Sequence, residues 1–167
     1  MRLDFRAMTP EDQKSVNYIQ KDAYQKRFLE KWRFLLDKLK WCPEGCWICT
    51  AHGKPVGYMF SHPACLISAP LLNQMLDHSK TDDCYFIHDI ARLDSHRGNK
   101  IGNRFLDYAL KCAAKKGFAI IAGVAVQNTR KRWERLGFEP FTGPEKVLRY
   151  ISEHYGDDAC YMVRRLD

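Results

Sequence analysis

The chain has 167 residues, 46% of them hydrophobic and 28% charged, with 27 basic against 20 acidic side chains and a formal charge of +7. That length suits one domain over 1–167, able to bury about two-thirds of its unfolded surface, and the composition excludes a disordered chain. No stretch approaches the ~20 apolar residues of a membrane span, MRLDFRAMTPEDQ does not read as a signal peptide, and seven scattered cysteines argue against a disulfide framework. A cytoplasmic protein with no membrane partner is the expectation.

In chain order, RLDFRA (2–7) alternates as a short edge strand. Thr9, Pro10 and Asp12 then form a capping-box start to a helix whose inward stripe is Val16, Ile19, Gln20 and Ala23. A second helix is predicted over 25–40 from the spacing of Phe28, Leu29, Trp32, Leu35, Leu36 and Leu39, closed by Pro43 and Gly45. Strands 46–51 and 55–61 follow, joined at His52-Gly53-Lys54. Residues 62–82, with Pro63 and Pro70, read as a connecting excursion or lid.

The run CYFIHDIARL (84–93) is the longest strand-like segment. An amphipathic helix over 99–116 has Ile101, Phe105, Ala109, Cys112 and Ala113 inward and ends at Gly117. A strand at 118–126, a short helix at 128–136 and two strands near 146–151 and 159–166 complete the chain. This order predicts a mixed sheet flanked by helices. Cys42, Cys46 and Cys49 have the C-x-x-x-C-x-x-C spacing of an iron–sulfur site. Strand alternation puts Cys46 and Cys49 on opposite faces, however, and only His52 is at hand as a fourth zinc ligand, so buried thiols and no metal are expected.

The basic residues cluster at 92–104, 111–116 and 130–135, at helical spacing, either as solvated helix faces or as a site for a phosphate-rich ligand. The stretch HRGNKIGNRF carries the sharper signal. A basic loop with Gly98 and Gly102 opens directly into a helix, which is a site for an anion on backbone N–H groups.

Its surroundings resemble one family. YFIHDIARLDSHRGNKIG resembles motif A of the GNAT superfamily of N-acetyltransferases, with its R/Q-x-x-G-x-G/A signature. VAVQNTRKRWERLGFEPF resembles that superfamily's second cofactor region, and LDFRAMTPEDQ and YGDDACYMVRRL look like its first and last strands. The resemblance implies an α/β fold of the α+β type, with a mixed, mostly antiparallel sheet and helices on both faces. It also implies an acetyl-CoA-dependent N-acetyltransferase acting on a small-molecule or protein amine by direct attack in a ternary complex, with a homodimer as the family-level expectation.

Carried over by position, Ile90, Ala91 and Arg92 offer backbone groups to the pantetheine arm like an added strand. Arg97, Gly98, Asn99, Lys100, Ile101 and Gly102 wrap the pyrophosphate, with Asn103 next in line. Asn128 contacts the pantetheine or caps a helix, or does both. Two positions depart from the pattern: Lys100 stands where the signature has glycine, and Trp133 stands where many members carry a tyrosine that protonates the departing thiolate. An indole N–H is a donor but no useful acid. Tyr85, Tyr155 and Tyr161 are the candidate donors in its place.

For the base, His88 is the first choice, two residues before Ile90 and expected to share a face with residues 86 and 90, with Asp89 on the opposite face. The unperturbed pKa of histidine, about 6.5, suits the task. A histidine hydrogen-bonded within the sheet is the other reading. Two further functions compete with the enzyme: a non-catalytic acyl-CoA-binding module, suggested by Lys100 and Trp133, and a nucleic-acid binder. The charge alone speaks for the last, and no recognition motif supports it, so no nucleic-acid partner is expected.

Overall fold

The computed structural model describes residues 1–166. Strand β1 (Leu3–Ala7) leads through a 3-10 turn at Pro10–Asp12 into α1 (Gln13–Ala23), and a second turn at Lys26–Phe28 precedes α2 (Trp32–Trp41). Strands β2 (Trp47–Ala51), β3 (Lys54–Ala64) and β4 (Cys84–Arg92) follow, then α3 (Ile101–Lys115), β5 (Ile120–Ala125) and α4 (Arg130–Arg135). The chain closes with β6 (Glu139–Pro140), α5 (Glu145–Tyr155) and β7 (Cys160–Arg165). All seven strands form one sheet in the order β1-β2-β3-β4-β5-β7-β6. Every pairing is antiparallel except β4 with β5, so the expected mixed, mostly antiparallel sheet is found.

Helices cover both faces, each for the reason its sequence gives. Helix α3 buries Ile101, Phe105, Leu106, Ala109 and Ala113 on one face, against Met59, Tyr85 and Ile87. On the other face, Val16 and Ile19 of α1 and Leu35 and Leu39 of α2 meet Ile48, Tyr58 and Phe60. Val147, Ile151 and Tyr155 of α5 meet Phe86, Ala122 and Tyr161. Cys46 and Cys49 belong to clusters on opposite faces, which suits buried thiols.

Two expected elements differ. The segment predicted as a strand near 146–151 is helix α5. Its apolar residues recur at 147, 151 and 155, a helical period, with Pro144 at the N-cap and Gly156 after the last turn. The helix predicted over 25–40 begins only at Trp32, because Tyr24 and Leu29 are extended. Gln20 fixes that break: its Nε2 donates to the Glu30 carbonyl at 2.9 Å and its Oε1 accepts the Glu30 N–H at 3.0 Å. Two backbone groups that a helix would have used are thereby satisfied by α1.

A bulge shapes the middle of the sheet. Phe60 pairs with Asp89, but Ser61 pairs with Ile87, leaving His88 as the extra residue on β4. The inserted residue shifts the alternation by one. Ile90 packs on the α3 side, whereas His88 sits beside Phe86 and Asp89 receives bonds from Tyr24 and Tyr58 on the α1 side. His88 thus shares a face with residue 86 but not with 90, and Asp89 lies on the same face as His88 rather than opposite. An unbroken alternation of two cannot foresee an inserted residue.

Candidate active site

Strands β4 and β5 are bonded only over Tyr85–Ile87 and Ile121–Gly123. Beyond that they separate, and a cleft of about 530 Å³ opens between them. From the bulge onward β4 pairs with β3 on one side only, so its other edge faces the gap without a strand partner, the Ile90 carbonyl accepting from the Tyr24 hydroxyl at 2.8 Å. That is the geometry an extended amide-bearing arm can join as an added strand. His88, Ile90, Ala91, Arg92, Arg97, Gly102 and Trp133 all border the cleft.

One group of cleft residues is cationic. Arg92, Arg97 and Arg132 converge, and burial, together with Arg132 and Arg97, pulls the Arg92 guanidinium below its usual pKa. Arg97 is paired with Asp94 at 2.6 Å, while Arg92 and Arg132 repel one another, a pair that an anion would stabilise. Nearby, Gly98 (φ 84°) and Lys100 (φ 57°) adopt left-handed backbone ahead of α3. Alternating conformations of this kind turn successive N–H groups toward one point.

Lys100 is the N-cap of α3 and is exposed. Its positive φ explains why the family signature has glycine there. Ile101 is buried and anchors the helix start, while Asn99 bonds the His96 carbonyl at 3.1 Å and Asn103 is exposed on α3. A Cβ on Gly102 would lie 2.5 Å from an Arg132 nitrogen, so the absent side chain is what admits that guanidinium.

Asn128, with φ 60°, precedes rather than forms the cap of α4. The N-cap is Thr129, whose hydroxyl donates to the Val126 carbonyl at 2.7 Å. Trp133 packs on β5, where its indole fills the space that a Cβ on Gly123 would need. Its ring meets Phe138 edge-on, with centroids 5.0 Å apart. The three tyrosines considered as proton donors are all committed elsewhere. Tyr85 bonds Ser61 Oγ at 2.9 Å on the α3 side, while Tyr155 and Tyr161 donate to the Pro70 and Leu66 carbonyls.

A second group of cleft residues includes Phe28, Glu30, Leu72, Phe86 and Tyr155. His88 belongs here. Its side chain has no exposed surface, and its Nε2 lies 2.7 Å from Glu30 Oε1. Its Nδ1 is buried with no partner. The His62 ring lies 5.7 Å away, with Nδ1 on the Pro63 carbonyl and Nε2 also unpartnered. Burial lowers the His62 pKa to about 3, so that ring is neutral.

Beside them, Tyr24 and Tyr58 each donate to Asp89 at 2.6 Å. Burial and the nearby Glu30 carboxylate outweigh these bonds and raise Asp89 to about 6. Tyr24, Glu30, Arg132 and Gln127 border the cleft without having been singled out from the sequence. Glu30 and Arg132 read as charges on helix faces, and only the assembled sheet turns them inward.

The pattern of the acetyltransferase (GNAT) family matches residues 14–138. No curated protein sequence matches the chain. Among solved structures, Ard1 from Thermoplasma volcanium superposes with a TM-score of 0.76 at 16% identity, covering 100% of this chain and 99% of that one. Naa50 from Arabidopsis thaliana, in complex with a bisubstrate analogue of CoA, gives 0.69 at 14% identity over 98% and 97%. N-acetylglutamate synthase from Neisseria gonorrhoeae, complexed with coenzyme A and N-acetyl-glutamate, gives 0.70 at 15% over 100% of this chain and 36% of that one. At such identities these neighbours speak for the fold, while the family match spans most of the sequence: the chain belongs to the GNAT family of acetyltransferases.

Proposed function

We propose that the protein transfers the acetyl group of acetyl-CoA to a primary amine bound at the Glu30–His88 part of the cleft. The observation that carries this reading is the opening between β4 and β5, which joins a free strand edge, three converging arginines and a buried histidine in one cavity. The structural neighbours bound to CoA or its analogues support the choice of donor.

Acetyl-CoA supplies the acyl group as a thioester. The backbone of Ile90, Ala91 and Arg92 holds its amide-bearing arm, and the loop Arg97–Gly98–Asn99–Lys100–Ile101–Gly102 with Arg132 holds its phosphates. Phe28, Leu72 and Phe86 surround the acceptor and exclude water. His88 Nδ1 takes the proton of the attacking amine, directly or through one water. With Trp133 in place of tyrosine, the thiolate leaves unprotonated or takes its proton from water, a tolerable route since thiols ionise near pH 8.5.

The test is a thermal shift with acetyl-CoA for the wild type and Gly102→Glu, then an acceptor panel of 2-phenylethylamine, glutamate and a Met-initiated peptide. Donor at about 100 times its Kd is expected to stabilise the wild type by about 2.7 kcal/mol and the variant not at all, since a carboxylate there both clashes and repels. Turnover of any panel amine supports the transferase. A shift without turnover of any acceptor favours an acyl-CoA-binding module, and no shift in the wild type removes the cofactor assignment. In the same assay, His88→Ala is expected to lower turnover at neutral pH at least tenfold, with acetyl-CoA affinity nearly unchanged.

A further inference from the structure

We propose that Glu30 is a positioning residue for acetyl transfer, fixing His88 in the one tautomer that leaves Nδ1 free to accept the amine's proton. The inference rests on the reading of His88 as proton acceptor. Glu30 Oε1 and His88 Nε2 are 2.7 Å apart, and the two side chains are 1% and 0% exposed, so no solvent competes for this bond. Two donors face the Glu30 carboxyl, His88 Nε2 at 2.7 Å and the Asn73 N–H at 3.1 Å, and the Lys38 ammonium lies near, an environment that holds the group as a carboxylate against the cost of its burial. A carboxylate only accepts, so the proton on the facing ring nitrogen is Nε2–H.

Nδ1 then carries the lone pair, and it is the atom with no partner. A proton on Nδ1 would instead leave a buried N–H donor without an acceptor. The other titratable groups near the pair are Tyr24 at the C-cap of α1, Lys38 on α2, Tyr58 and His62 on β3, Asp89 on β4 and Tyr155 on α5. Lys38 Nζ donates to the Gln74 carbonyl at 2.6 Å, and the neutral His62 ring spends its one N–H on the Pro63 carbonyl, so neither supplies a second bond to His88 Nδ1.

Glu30 is itself held from two other segments. Its Oε2 accepts the Asn73 N–H at 3.1 Å, and both its backbone polar groups are bonded by the side chain of Gln20. The carboxylate can neither rotate nor withdraw without breaking a buried bond. Fixing a catalytic imidazole through its far nitrogen is the general solution to the tautomer problem.

The decisive variant is Glu30→Gln, which keeps the shape and changes one hydrogen-bonding sense. Its amide oxygen must face the Asn73 N–H, so its NH2 turns toward His88 Nε2 and drives the proton onto Nδ1. Turnover of the panel amine, 2-phenylethylamine or the Met-initiated peptide, is expected to fall about a hundredfold, with acetyl-CoA Kd within twofold of wild type. The tautomer is read directly by nitrogen-15 NMR of His88: Nε2–H in the wild type, Nδ1–H in E30Q. The wild-type spectrum alone tests the proposal should the variant not fold, and a wild-type proton on Nδ1 overturns it. Full turnover in E30Q beside an inactive His88→Ala overturns the role of Glu30 while leaving His88 as the base; an active His88→Ala overturns both.

Discussion

Among single residues, Asp89 has the environment that most alters its chemistry. Two tyrosine hydroxyls donate to it at 2.6 Å, yet burial beside Glu30 raises its pKa to about 6, from near 3.9 in an unfolded chain. The folded value lies above the unfolded one, so the contribution of this group to stability is fully present below about pH 4 and is lost as pH rises through 6. At neutral pH the difference amounts to about 2–3 kcal/mol. Asp89→Asn is therefore expected to raise the melting temperature at pH 7.5 relative to wild type, and not at pH 4.5. Equal shifts at both pH values would show that the carboxyl is ionised throughout. Lys100 shows a different kind of local conflict, a side-chain-bearing residue at φ 57°. Lys100→Gly relieves strain of about 1–2 kcal/mol and adds unfolded-state entropy of about half that, for a net gain of about 0.5–1 kcal/mol in chemical denaturation.

Whole elements are placed by a few reciprocal bonds. The excursion between β3 and β4 is no free lid, because Asn73 accepts from the Lys31 N–H at 2.8 Å and donates to the Leu29 carbonyl at 3.0 Å. The Leu76 N–H also bonds Asp37, at 2.8 Å. Asn73 has φ 54°, a conformation asparagine tolerates better than alanine. Asn73→Ala is expected to cost about 2 kcal/mol and to speed hydrogen exchange at residues 29–31. Unchanged protection there would mean that Gln20 alone sets the break before α2. The helices α3 and α5 show what is readable at this scale. The glycine-bearing start of α3 and its inward stripe are visible in the sequence, whereas over 146–151 the helical period of α5 competes with a strand reading. Length and flanking signals, Pro144 before and Gly156 after, were the information that decides such a case.

For the whole molecule, the relevant quantity is the distribution of charge rather than its sum. A formal charge of +7 says little about function. Arg92, Arg97 and Arg132 border one part of the cleft, with Asp22 and Asp94 beside them, and Glu30 and Asp89 border another, an arrangement that suits the proposed anionic donor and amine. Raising salt from about 50 to 500 mM shortens the screening length from roughly 14 to 4 Å. Acetyl-CoA affinity is expected to weaken several-fold over that range by calorimetry, and a flat response would mean that the arginines do not contact the phosphates.

The glycine-bearing basic loop and the order of the main elements up to α4 were legible in the sequence, because backbone conformation and apolar period act over a few residues; the two-residue strand β6 was not. The β4 bulge, the face on which Asp89 lies, the seating of Trp133 on Gly123 and the Glu30–His88 pair were not. Each joins residues from separate strands or helices, and register, burial and hydrogen-bond partnership exist only once those elements are packed together. Sequence alone determined a glycine-bearing, basic loop before a helix and the family to which it belongs. The tertiary structure decided which atom of His88 is free, since that depends on a carboxylate 58 positions away in the chain and on the removal of water from around both.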